Sequence, residues 1–184
     1  YGDHRELPSF PTRRSSDLAA RAADFWRRLL DAGAAPAGLG ARDTLRLEVG
    51  YPLYGHELGT ERTPVPAARG AFIDVTKPFI GWAAVVRDIE ESCPRYLVGL
   101  RLDSRRAARA GDPVSAGGAE VGVVTSGSFA PSVGAAVAMA YVDAKLTRPG
   151  ARVTVGSRGA SLGAEVVGLP FWTRGTARGV PGAA

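Results

Sequence analysis

From Arg95 onward the chain is cut into short apolar runs by turn residues, and this texture restricts the fold more than any other feature of the sequence. The runs are Tyr96 to Leu102, Ala119 to Thr125, Val137 to Val142, Arg152 to Ser157 and Ala164 to Leu169. Leu100 and Leu102 flank Arg101, and Val153 and Val155 flank Thr154, the period-two alternation of a strand with one face buried. Between the runs stand Gly111-Asp-Pro113, Gly117-Gly118, Arg148-Pro-Gly150 and Arg158-Gly159, residues suited to left-handed or proline-fixed backbone. Short strands separated by such turns predict a small antiparallel barrel or sandwich.

The part before Arg95 reads differently. Ala22, Phe25, Trp26, Leu29 and Leu30 sit at helical spacing between Ala19 and Ala32, with Arg21, Asp24, Arg27, Arg28 and Asp31 on the other face, and the apolar stripe is expected to pack in a core. Residues 33 to 40 form a small-residue connector. In Ala41-Arg-Asp-Thr-Leu-Arg-Leu-Glu-Val49, the positions Ala41, Leu45 and Val49 recur every four residues, with Arg42 and Arg46 one turn apart on a neighbouring face. Leu45, Leu47 and Val49 also alternate as a strand would, but Gly50 and Pro52 bound the segment as they bound a short helix. Phe72, Ile73, Val75, Phe79, Ile80 and Trp82 read as buried anchors around the Lys77-Pro78 break, and Ala83 to Ser92 as a short helix. Cys93-Pro94 marks the expected domain boundary, because proline turns the preceding residue away from helix.

Composition removes several classes of function. With one cysteine, Cys93, and two histidines, His4 and His56, there is no disulfide and no cluster for zinc or a Cys-His pair. The formal net charge of +5 comes from arginines scattered among acids, not from a basic stripe interleaved with aromatics, so neither a nucleic-acid partner nor a membrane is expected. No apolar run reaches the length of a bilayer span, and a cytoplasmic location fits the cysteine usage. Ser9-Phe-Pro-Thr-Arg-Arg-Ser-Ser-Asp-Leu18 matches, codon by codon, the translation of a common sequencing adapter. Residues 1 to 18 are therefore expected to be an artefact, with the gene continuing upstream of Ala19.

The stretch A-R-D-T-L-R-L-E-V-G-Y-P-L-Y-G-H-E-L from Ala41 to Leu58, followed by Thr63-Pro64-Val65, resembles the central signature of the glycine-cleavage T-protein family, the tetrahydrofolate-dependent aminomethyltransferases. Lys77-Pro-Phe-Ile-Gly81, Leu97-Val-Gly-Leu100, Gly122-Val-Val-Thr-Ser-Gly-Ser-Phe-Ala-Pro131 and Leu169-Pro-Phe171 resemble four further blocks of that family, in its order. The resemblance implies an α+β fold: the C-terminal part of the folate-binding fold, ending in a small antiparallel β-barrel. Residues 19–92 would be a remnant of the folate-binding domain, 93–172 the barrel and 173–184 a tail.

The implied chemistry is transfer of a one-carbon unit from an aminomethyl group on the lipoyl arm of a carrier protein to tetrahydrofolate, with release of ammonia. Folate is planar at one end and carries carboxylates at the other, so its site needs aromatic packing and a guanidinium. Arg42 occupies the family's substrate-binding arginine in A-R-D, and Tyr54 and Glu57 lie in the L-Y-G-H-E turn, where Gly55 permits close approach. His56 reads as a satisfied surface histidine, and Thr125-Ser-Gly-Ser128 as a strand end and turn lacking phosphate-loop spacing. The family's catalytic aspartate and its G-Y-T-G-E glutamate have no counterpart here, so no catalytic residue is assigned and the chain alone is expected to be inactive. Ala68-Arg-Gly-Ala-Phe72 also replaces the family's A-G-L-G-W. Two relatives remain as alternatives. The iron-sulfur maturation branch carries a cysteine that Tyr51-Pro-Leu-Tyr-Gly-His-Glu57 lacks, and the sarcosine and dimethylglycine dehydrogenases would add a flavin domain.

Overall fold

The computed structural model describes residues 19–174, which fall into two compact units divided after Leu39. The expectations for residues 1–18, and most of the expected tail, lie outside the described residues.

In the first unit, a 3-10 turn (Ala19–Arg21) leads into helix α1 (Ala22–Asp31), in which Arg27 donates to Asp24 at 2.7 Å. Gly33, at φ +88°, ends it: the Gly33 and Ala34 N–H groups return to the Leu30 and Leu29 carbonyls, which satisfies the last turn. The predicted helix is present, but its predicted core packing is not. Phe25, Trp26, Leu29 and Leu30 are all exposed, and no α1 residue is buried. A 3.6-residue stripe reports which face is apolar, not what covers it.

The second unit is built on a closed six-stranded antiparallel barrel. Its strands are β1 (Arg95–Leu102), β2 (Pro113–Ala116), β3 (Ala119–Ala130), β4 (Ala135–Asp143), β5 (Arg152–Ser157) and β6 (Ala160–Val167), in the order β1-β4-β3-β2-β5-β6. Pairing of Gly99–Leu102 with Ala164–Val167 closes the circle, so every strand has two neighbours and no edge is left to aggregate. The five predicted strands are all there. The four-residue β2 between its two turns is too short to show alternation in the sequence. Inward-facing Leu100, Val114, Val124, Val142, Val155 and Val166 fill the interior, each large aliphatic contributing roughly 1.5–3 kcal/mol by leaving water. Gly122 is required by packing: a Cβ there would run into the Tyr141 carbonyl of the adjacent strand.

A second apolar layer covers the outside of β1 and β4. Leu47 of helix α2 (Leu39–Glu48), Leu97, Val137, Met139 and Tyr141 form it, with Leu169 and Phe171 of the closing L-P-F segment packed against it. Gly99 makes room for them, since a Cβ at that position would lie 2.9 Å from the Phe171 ring. Residues between α2 and the barrel include helix α3 (Trp82–Glu90), where the sequence places a short helix. The Leu97 N–H donates to the Pro66 carbonyl and Thr63 Oγ1 to Asp88 at 2.6 Å, fastening this segment to β1 and α3. The expected anchors differ: Phe72, Phe79, Ile80 and Trp82 are exposed, whereas Pro66, Ala67, Val85 and Cys93 are buried there. Among the described residues no helix is long and apolar enough to cross a membrane.

Candidate functional site

Helix α2 buries the opposite of its apolar stripe. Leu45 is 61% exposed, while Arg46, Leu47 and Glu48 are buried. The reason is that both charged side chains find partners inside. Glu48 accepts the Ser132 N–H at 2.8 Å, and Arg46 is held on three sides. At its end, the Gly50 N–H returns to the Leu47 carbonyl and the Tyr51 N–H to that of Arg46, with Gly50 at φ +66°; this glycine cap turns the chain sharply into the signature turn.

The turn Tyr51 to Leu58 is wound around one carbonyl: Leu53 C=O accepts the N–H groups of His56, Glu57 and Leu58 at 3.1, 3.0 and 3.2 Å. Gly55, at φ +89°, lets the chain reverse so that its N–H meets the Leu58 carbonyl. This winding sends Glu57 inward, where it is 0% exposed. Its Oε2 accepts from Arg46 Nη1 at 3.0 Å and from the Leu53 N–H at 2.9 Å, and its Oε1 accepts the Ser126 hydroxyl at 2.6 Å. Arg46 Nη2 donates to Ser126 Oγ at 2.8 Å, and Arg46 Nε to Asp43 at 2.7 Å. The result is a closed triangle of guanidinium, carboxylate and hydroxyl joining helix, turn and barrel. Buried charges of this kind persist only when paired and fully hydrogen-bonded.

Two further bonds seat the turn on the barrel. His56 Nδ1 lies 3.0 Å from the Thr125 carbonyl, so that ring nitrogen carries the proton. The Tyr141 hydroxyl donates to the Glu57 carbonyl at 2.8 Å. Burial raises the Tyr141 pKa above its ordinary value, and the Arg62 guanidinium over its ring, 4.5 Å from the centroid, opposes that rise. Beside them a cavity of about 310 Å³ is lined by Arg62, Asp88, Cys93 and Tyr141, among others.

The three sequence-predicted contacts therefore separate. Arg42 is exposed on α2, and no carboxylate or hydrogen-bond partner meets it among the described residues, because Asp43 is taken by Arg46. Tyr54 is exposed at the tip of the turn. Glu57 is buried, with both oxygens of its carboxylate hydrogen-bonded within the protein. Thr125 to Ser128 is not a turn. It lies within β3 at a bulge, where the register against β4 slips between Val124 and Ser126. Sequence reasoning missed Arg46 and Ser126; the only signal was the one-turn spacing of Arg46 behind Arg42. Among the described residues no group of three or more His, Cys, Asp or Glu side chains could hold a metal.

Comparison with known proteins bears on this arrangement. Residues 95–172 match the family model described as the glycine cleavage T-protein C-terminal barrel domain, and residues 18–77 the one described as the GCVT N-terminal domain. An aminomethyltransferase of Saccharopolyspora erythraea is 49% identical over 162 residues, covering 84% of this chain and 44% of that protein. One from Rubrobacter xylanophilus is 46% identical over 157 residues, covering 84% of this chain and 41% of that protein. The crystal structure of glycine cleavage system aminomethyltransferase T from Bartonella henselae superimposes with a TM-score of 0.76 at 34% identity, over 85% of this chain and 44% of that one. The chain thus spans less than half the length of these relatives.

Proposed function

Because the chain belongs to the glycine cleavage T-protein family, we propose that it supplies the signature helix and barrel of a tetrahydrofolate-dependent aminomethyltransferase. In this reading Arg42 binds folate carboxylate and Tyr54 packs against the ligand. Glu57 contributes by holding the turn, not by touching the ligand. The one-carbon donor is an aminomethyl group on the lipoyl arm of a carrier protein, and ammonia is the other product. No residue of this chain is assigned as acid or base.

The observation that carries the reading is the contrast between two arginines one helical turn apart. Arg46 is consumed by Glu57, Asp43 and Ser126, whereas Arg42 is exposed and meets no partner among the described residues. An exposed planar fork on a helix braced from behind suits paired, charge-assisted bonds to a carboxylate. Calorimetric titration with 5-formyltetrahydrofolate, a stable folate, tests it. Arg42→Ala should weaken binding about tenfold or more, the worth of one or two charge-assisted hydrogen bonds. Unchanged affinity would remove Arg42 from the site.

A further inference from the structure

We infer that Ser126, a barrel residue buried away from the ligand surface, is a positioning residue for folate binding; the inference rests on the assignment of Arg42 and Tyr54 as ligand contacts. These two side chains stand on different pieces of backbone. Arg42 is on α2, one turn before Arg46, and Tyr54 is in the turn, three residues before Glu57. The Arg46–Glu57 pair ties one to the other, and Ser126, the member of the triangle on the barrel, bonds to both partners and sets the pair against β3.

The bulge makes this possible. Val124 pairs with Ala140 and Ser126 with Met139, so Thr125 is an extra residue in β3. Side-chain direction alternates along a strand, and one inserted residue changes the face that later side chains take. Ser126 Oγ is thereby placed to accept from a guanidinium and donate to a carboxylate at once, which a hydroxyl can do and a methyl cannot. At the same bulge the Thr125 carbonyl accepts from His56 and the Thr125 hydroxyl donates to the Met139 carbonyl at 3.0 Å. The bulge thus holds the turn at two points and is itself tied to β4.

Ser126→Ala leaves the direct Arg46–Glu57 pair and the His56–Thr125 and Tyr141–Glu57 bonds intact but removes the one side-chain bridge from that pair to β3. The 184-residue chain should then bind 5-formyltetrahydrofolate about tenfold more weakly, the equivalent of one hydrogen bond to a charged group. Val155→Ala, in the barrel interior, is the stability control and should lower the melting temperature with affinity unchanged. Hydrogen exchange should show the Leu53 and Glu57 amides opening about tenfold faster in Ser126→Ala, with strand amides of β1 and β4 unaltered. Equal affinities in wild type and Ser126→Ala, or an equal loss in Val155→Ala, would overturn the inference. Should the wild-type chain show no folate affinity, the functional reading fails on its own, and unchanged exchange at Leu53 and Glu57 would then dispose of the positioning role as well.

Discussion

Replacing Glu57 by Leu and Arg46 by Met, singly and together, measures how far the second unit depends on its buried ion pair. Glu57→Leu strands a guanidinium that is 9% exposed, with only Asp43 left as counter-ion. Removing one partner of a buried pair costs about 3–5 kcal/mol, and the surviving Asp43 contact puts the expected loss near the lower end. Arg46→Met strands the fully buried carboxylate, which keeps the Leu53 N–H and Ser126 as donors, so about 3 kcal/mol is expected there too. The double variant carries no buried charge. It still orphans the Leu53 N–H and the Ser126 hydroxyl, at about 1–3 kcal/mol each before relaxation, so its total loss should fall near 3 kcal/mol, well short of the roughly 6 kcal/mol sum of the singles. Urea unfolding followed by far-ultraviolet circular dichroism at 25 °C gives the three losses and, from the cycle, a coupling of about 2–3 kcal/mol. Additivity within about 0.5 kcal/mol would mean that the two groups do not sense each other, and the triangle drawn above would be wrong.

Ser157 offers a gain. Its hydroxyl is buried at the end of β5 without a hydrogen-bond partner among the described residues, so Ser157→Ala should stabilise by about 1 kcal/mol and raise the melting temperature by roughly 2–4 °C; a fall in either would show that the hydroxyl is satisfied. Gly122→Ala should cost about 2 kcal/mol or more in urea unfolding, since the new Cβ meets backbone that cannot rotate away. Alkaline pH should destabilise the second unit. Burial, helped by nearby Asp88, raises the Cys93 thiol above its ordinary 9.0, and burial likewise raises Tyr141 above 10.0. Both groups hold their protons more tightly folded than unfolded, so their stabilisation is complete below about pH 9 and is lost as pH climbs through the raised values. A urea midpoint that stays level from pH 7.5 to 10.5 would contradict this, and Cys93→Ala should remove the earlier part of the decline.

How legible each element was in the sequence depends on where its energy comes from. The barrel could be read because its strands carry local signals: buried and less buried residues alternate along β5 and β6, and Gly117-Gly118 and Arg158-Gly159 take the positive φ their turns need. The end of α2 was legible for the same reason, since Gly50 acts on the residues next to it in the chain. Arg46, Glu57 and Ser126 were not, because their roles exist only together, across separations of 11 and 80 residues, and charge patterning within α2 cannot report a partner on β3. For the same reason the four-residue spacing of Ala41, Leu45 and Val49 does not tell which face of α2 is buried: Leu45 is exposed and Arg46 buried because Glu57 meets the arginine inside. Residue type alone likewise does not separate Glu57 from Tyr54 in the turn, although the first is buried and the second exposed. Three N–H groups converging on the Leu53 carbonyl decide that Glu57 points inward, and no motif encodes that winding except through Gly55. A residue's direction in a tight turn is set by backbone bonds, so a signature motif identifies the turn that carries a site and leaves open which of its side chains reach the ligand.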